Sequence, residues 1–191
     1  MVHFRLFLVF RIRRSRMQII VTLMGADRFD RIAAISRVVR DCKCTILESR
    51  MTELGAEFAG HMLVEGNWNH IVKLENALEN LSPRGEFKVH TMRAREAPPE
   101  TENVLPYAVD VVAGENSDHL HELAEFFASR HIKVVDASTS RYPAPYSGTP
   151  MFLAHLIVKI PTDMKIISLR DEFLEFCDQQ NLDAILEPVK R

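Results

Sequence analysis

Few residues in this chain have the type and spacing that chemistry needs. The three cysteines, Cys42, Cys44 and Cys177, are odd in number, and the first two lie two apart with no second Cys or His pair at zinc spacing. They read as reduced, buried thiols rather than metal ligands. Of the eight histidines, His119 and His121 fall on a predicted helix at a spacing that points them to different faces. His61 and His155 occupy matching strand positions and read as packing residues. No G-x-S-x-G, H-E-x-x-H or phosphate-loop pattern is present. The expectation is a protein that is not an enzyme and has no metal and no cofactor. One segment carries a physical argument for binding. Gly25-Ala26-Asp27-Arg28 sits between a predicted strand and a predicted helix, where a glycine permits φ > 0 and the unpaired N–H groups of the helix start face outward. Its natural guest is a small carboxylate such as that of an amino acid, with Asp27 available to the ammonium. Asp27 and Asp30 serve equally well as caps of that helix.

The elements that must position this segment are legible from periodicity. Gln18–Met24 reads as a strand, and Ile32, Ile35, Val38 and Val39 mark a helix over Asp30–Asp41. Thr45–Leu54 and Phe58–Val64 flank a turn at Gly55-Ala56 as a hairpin. A second helix follows from the N-cap candidate Asn67 through Trp68, Ile71, Leu74 and Leu78, and Phe87–Met92 closes the unit as a strand. The order then repeats. Tyr107–Ala113 is a strand, Leu120, Leu123, Phe126 and Phe127 mark a helix, Val134–Tyr142 and Phe152–Ile160 pair, Ile166–Phe176 is helical and Leu182–Val189 is the last strand. At an offset of 88, Asp30 falls on Asp118, Ile35 on Leu123 and Ile46 on Val134; past the longer second hairpin loop the offset is 94 and His61 falls on His155. Self-similarity at this period means one fold written twice. The fold class is α+β, two ferredoxin-like βαββαβ units, each an antiparallel four-stranded sheet with two helices on one face. The other sheet face of each unit is expected to be bare and apolar, which points to a homodimer.

The expected organisation is an N-terminal extension over 1–16, disordered or foreign to the native chain, a first domain over 17–93, a linker over 94–105 and a second domain over 106–191. Hydrophobic residues make up 47% of the 191 and charged residues 26%, as in an ordinary globular protein. The formal charge of −2 is uneven: residues 1–16 hold five arginines and no acid, which leaves 19 bases against 26 acids in the rest. An acidic body argues against direct nucleic-acid binding. The apolar run Val2–Ile12 is interrupted by arginine and is shorter than the roughly 20 residues of a membrane span, so a cytoplasmic location is expected.

The same segments resemble a known family. Gly25-Ala-Asp-Arg28 stands where tandem ACT-domain proteins carry G-A-D-R-P-G at the start of the first helix. Cys42-Lys-Cys44-Thr-Ile-Leu-Glu-Ser-Arg50 with Leu54-Gly55-Ala-Glu57-Phe58 is similar to the C-x-C-N-I-x-x-S-R…L-G-x-E-F run of the glycine cleavage system transcriptional repressors. Gly66-Asn-Trp68-Asn69 resembles their G-x-W-N before the second helix. The resemblance covers residues 17–189. It implies two ACT domains, no catalysis, no direct DNA contact, and repression through a protein partner, a LysR-type transcriptional activator, with glycine relieving it. It also places an amino-acid ligand at the first strand–helix turn, on Gly25, Ala26, Asp27 and Arg28, and in the second copy on Gly114, Glu115 and Asn116. Phe29-Asp30 replaces the family's proline-glycine. Asp30 thereby sets a negative charge beside the anion site, where repulsion of a bound carboxylate costs about 1–4 kcal/mol. The alternative implied by that change is a degenerate ACT pair, an interaction and dimerisation module that senses no ligand.

Overall fold

The computed structural model describes residues 16–26, 28–81, 88–95, 103–114 and 119–189. The chain divides between residues 98 and 99 into two units. The first runs β1 (Met17–Ala26), α1 (Arg31–Asp41), β2 (Thr45–Leu54), β3 (Glu57–Gly66), α2 (Trp68–Glu79) and β4 (Lys88–Arg93). The second repeats it with β5 (Val104–Ala113), α3 (Leu120–Ala128), β6 (Lys133–Pro143), β7 (Pro150–Pro161), α4 (Ile166–Gln179) and β8 (Asp183–Pro188). The sheet orders are β2-β3-β1-β4 and β6-β7-β5-β8, antiparallel throughout. This is the ferredoxin-like arrangement read from the sequence, present in both halves.

The repetition reaches irregular details. β2 shifts register against β3 between Ile46 and Glu48, and β6 shifts against β7 between Val134 and Asp136, so each outer strand carries a bulge at the matching residue. Some boundaries differ from the sequence reading. β5 takes in Val104 and Leu105, which had been expected in the linker, because Pro106 lies beyond the residues that pair with β8 and its missing N–H breaks no bond there.

Each unit closes its own core between one sheet face and its two helices. In the first, Ile19, Val21 and Leu23 of β1 and Phe58, Met62 and Val64 of β3 meet Ile35 and Val39 of α1 and Ile71, Leu74 and Leu78 of α2. In the second, Val109 and Val111 of β5 and Ala154, Leu156 and Val158 of β7 meet Leu123, Phe126 and Phe127 of α3 and Leu169 and Phe173 of α4. The expected apolar stripe on α1 is rotated: Ile32 is 56% exposed, while Arg31 is buried. Gly66 ends β3 where a Cβ would stand 3.0 Å from the Cys44 sulfur, so a larger residue there would have to push that side chain aside.

Asn67 caps α2 as expected, its side chain accepting the His70 N–H at 2.8 Å. Asn67→Ala is expected to cost the first unit about 1 kcal/mol, read as reduced hydrogen-exchange protection of the first unit's amides with the second unit's unchanged.

The sheet faces turned away from the helices are mixed rather than simply apolar. In the first unit Ile20, Met24, Leu63 and Met92 alternate with Thr22, Arg50 and His61. In the second, Val112, Leu153 and Ile157 surround Asp110, whose Oδ1 lies 2.7 Å from His155 Nδ1. His61 and His155 therefore stand on the open faces and are not core packing residues. Alternation puts them there, because the strand neighbours on either side fill the core.

Candidate functional site

The sequence-identified turn lies where β1 gives way to α1. Gly25 and Ala26 are still strand residues, paired with Phe58 and Glu57 of β3, so the turn proper begins after them. Asp27 lies outside the described residues. Arg28 and Phe29 are exposed, and the Arg31 N–H closes the turn on the Arg28 carbonyl at 3.1 Å. Asp30 occupies the N-cap position with φ −100° and ψ 2°, and its carbonyl accepts the Ala34 N–H at 2.8 Å. Its side chain makes no capping hydrogen bond. Of the two sequence readings of Asp30, the side-chain cap is thus not formed. The carboxylate stands beside a helix start whose first N–H groups carry a partial positive charge.

Beneath the turn lies a residue that sequence reasoning missed. Arg31 is only 5% exposed, and its Nε donates to the Ala26 carbonyl at 2.9 Å. A guanidinium is left inside a fold only where its donors are satisfied. This one ties the end of β1 to the first turn of α1 and brings a fixed positive charge under the candidate site. A charged residue at a helix start reads as a surface residue, so the only available signal is its spacing. Arg31, Ile35 and Val39 recur every four residues.

The second copy is built on the same frame with different chemistry. Gly114 directly follows β5, and a Cβ there would meet nothing within 4 Å. Glu115 and Asn116 lie outside the described residues. His119 is the N-cap of α3 without a side-chain cap bond, and its ring stands edge-on to Phe152 with centroids 6.0 Å apart. The repeat offset of 88 carries Arg31 onto His119. These two are the buried polar or charged residues among those described. Both units thus bury a nitrogen-bearing side chain at the start of their first helix, a guanidinium in one copy and an imidazole in the other.

Other candidates fall elsewhere. Burial pushes the thiols up, Cys44 to about 11 and Cys177 to about 12, and raises Cys42 as well. Thiols that stay protonated at neutral pH are poor nucleophiles and poor ligands. His121 is exposed on α3, away from His119. Cavities lie at the opposite end of each unit from the turn. One of about 260 Å³ is flanked by Lys43, Asn67 and His70, and one of about 480 Å³ by His131, Thr162 and Asp163. Lys43 and His131 are repeat-equivalent and share a left-handed backbone, with φ of 58° and 57°. Among the described residues no group of His, Cys, Asp and Glu is placed to hold a metal ion, and no described helix is long and apolar enough to cross a membrane.

Comparison with known proteins places the chain further. Residues 17–91 match the family model of the ACT domain. Over 178 residues, covering 92% of both chains, the sequence is 27% identical to the glycine cleavage system transcriptional repressor of Escherichia coli K12 and equally to that of Shigella flexneri. Among solved structures, a protein of unknown function from Galdieria sulphuraria superposes with a TM-score of 0.71 at 22% identity, over 92% of this chain and 100% of the other. A candidate glycine cleavage system transcriptional repressor superposes with 0.68 at 21% identity, over 92% and 99%. The two superpositions show that the doubled fold is a shared one.

Proposed function

We propose that this chain, whose residues 17–91 match the ACT-domain model and whose second unit repeats the same fold, is a regulatory protein of glycine metabolism without catalysis of its own. On this reading it represses or co-regulates the genes of the glycine cleavage system by contact with a LysR-type transcriptional activator, and glycine or another small amino acid tunes that contact. The observation that carries it is the span of the resemblance to the named repressors. It takes in 92% of each chain, both units included, rather than one generic ACT domain. The excess of acids over bases beyond residue 16 favours a protein partner over DNA.

Within this reading the ligand sits at the β1–α1 turn. The amino acid's carboxylate faces the N–H groups of α1 and exposed Arg28, with the buried Arg31 charge behind them. A second reading is favoured by Asp30. Its carboxylate has no capping bond to hold it, and its residue sits at the helix start where a bound anion would lie. If that repulsion dominates, the chain is an interaction and dimerisation module that senses nothing.

A thermal-shift series on the full chain with each amino acid at millimolar concentration separates the two. A ligand that binds only the native state stabilises it by about 2.7 kcal/mol at a hundredfold excess over its dissociation constant. The sensor reading expects glycine to raise the midpoint and Asp30→Gly to enlarge the rise. A rise seen only after Asp30→Gly means that sensing is lost in the natural chain. No rise in either protein removes the ligand site from the proposal.

A further inference from the structure

The helix face of the second unit carries a groove of about 530 Å³ between α3 and α4. Its floor is aromatic: Phe126 and Phe176 lie with ring centroids 5.0 Å apart, tilted by 34°. Its walls are acidic, with Glu122 and Glu125 on α3 and Glu172 and Glu175 on α4. One end is closed by Arg130, whose guanidinium carbon lies 3.8 Å from the centroid of the Phe126 ring and whose Nε holds Glu172 at 3.1 Å. That pairing accounts for one acid and for the arginine. Glu122 is different, because its Oε2 is buried and has no hydrogen-bond partner. A buried acceptor without a donor is costly, and a donor brought in by a docked segment would relieve that cost.

We infer that this groove is a docking surface for a basic, amphipathic protein segment, one that lays aliphatic side chains against half-buried Phe176, backed by the buried Phe126 ring, and sets Lys or Arg against Glu122, Glu125 and Glu175. Charge complementarity selects this occupant. An aromatic floor alone takes any apolar group, but three acids around it repel nucleic acid and anionic lipid and draw cations. Size agrees, since the lining follows α3 from His121 and continues to Arg130 just past its end, a length of about two helical turns. A helix resting in a groove is a recurring mode of peptide recognition. The inference deepens the protein-contact reading by naming the surface, and it does not depend on glycine.

The test is fluorescence anisotropy with a labelled peptide that has leucines at helical spacing and arginines between them, titrated with the full chain. The groove reading expects binding that weakens with salt, a loss of about tenfold or more for the Glu125→Lys, Glu175→Lys double variant, and little change for Asp183→Lys, Glu187→Lys, which makes the same charge change on exposed β8. Amide shift changes in the unmutated chain are expected to centre on α3 and α4. Equal losses in the two double variants, or equal binding of a peptide with serines for leucines, would reduce the effect to net charge and overturn the assignment. No binding by the unmutated chain would overturn it too. Because the peptide assay contains no amino acid ligand, the docking surface and the glycine site can fail independently of each other.

Discussion

Phe173→Ala is expected to lower the stability of the second unit by about 3–5 kcal/mol. Phe173 has no exposed surface and sits at the crossing of α3 and α4, its ring 5.3 Å from that of Phe126 and 5.4 Å from that of Phe127. Removing it takes away the ring's burial, leaves a cavity against two further rings, and forfeits aromatic contacts that add to the area term. The loss is a large part of what a small unit holds in total. The two units share no core residue, so the first is expected to keep its protection. Hydrogen exchange read unit by unit is the appropriate measurement, since a single midpoint is poorly defined for a chain with two cores. Equal loss of protection in β1 and β3 would show that the cores are energetically one.

The second large effect is expected at Arg31. Arg31→Ala removes a charged donor from the Ala26 carbonyl and a long apolar stem from the interior, and about 2–3 kcal/mol of first-unit stability should go with them. Arg31→Lys tests which part matters. Lysine keeps the charge but lacks the Nε donor in its fixed plane, so it should recover only part of the stability. If the turn holds a carboxylate, the alanine variant also loses its thermal response to glycine at temperatures where it remains folded. An Arg31→Ala chain as stable as the original would show that the buried guanidinium does no structural work. A stable variant with an unchanged glycine response would remove Arg31 from the site.

The architecture is readable because each strand and helix of one copy has a counterpart in the same order in the other, and two weak signals at the same place make one strong one. Ile35 with Leu123 and Ile46 with Val134 illustrate it: each pair takes the same place in its unit. The site was readable only in part. Gly25 looks like a turn residue because glycine usually is one, yet pairing with Phe58 keeps it in the strand. Arg31 looks like a surface residue because arginine usually is one, and the carbonyl of Ala26, fixed by the end of β1, helps make burial tolerable. Such reversals depend on what a neighbour in space supplies, which periodicity along the chain does not record. The α3–α4 groove was missed for the same reason. Glu122 and Glu125 read as an ordinary polar face until α4 sets Glu172 and Glu175 opposite them.

The register shifts in β2 and β6 bear on how copies of this protein keep apart. Each of these strands is the outermost of its sheet, and a flat outer strand invites a neighbour's backbone to add to it. Here the spare residues, Leu47 and Val135, interrupt the spacing of N–H and C=O groups along the rim, and charged Glu48 or Asp136 follows directly after each. A stranger's strand meets a row of donors and acceptors that falls out of step. On that rim both halves are shielded against ribbon-like stacking, and orderly sheet extension is left to the rims formed by β4 and β8.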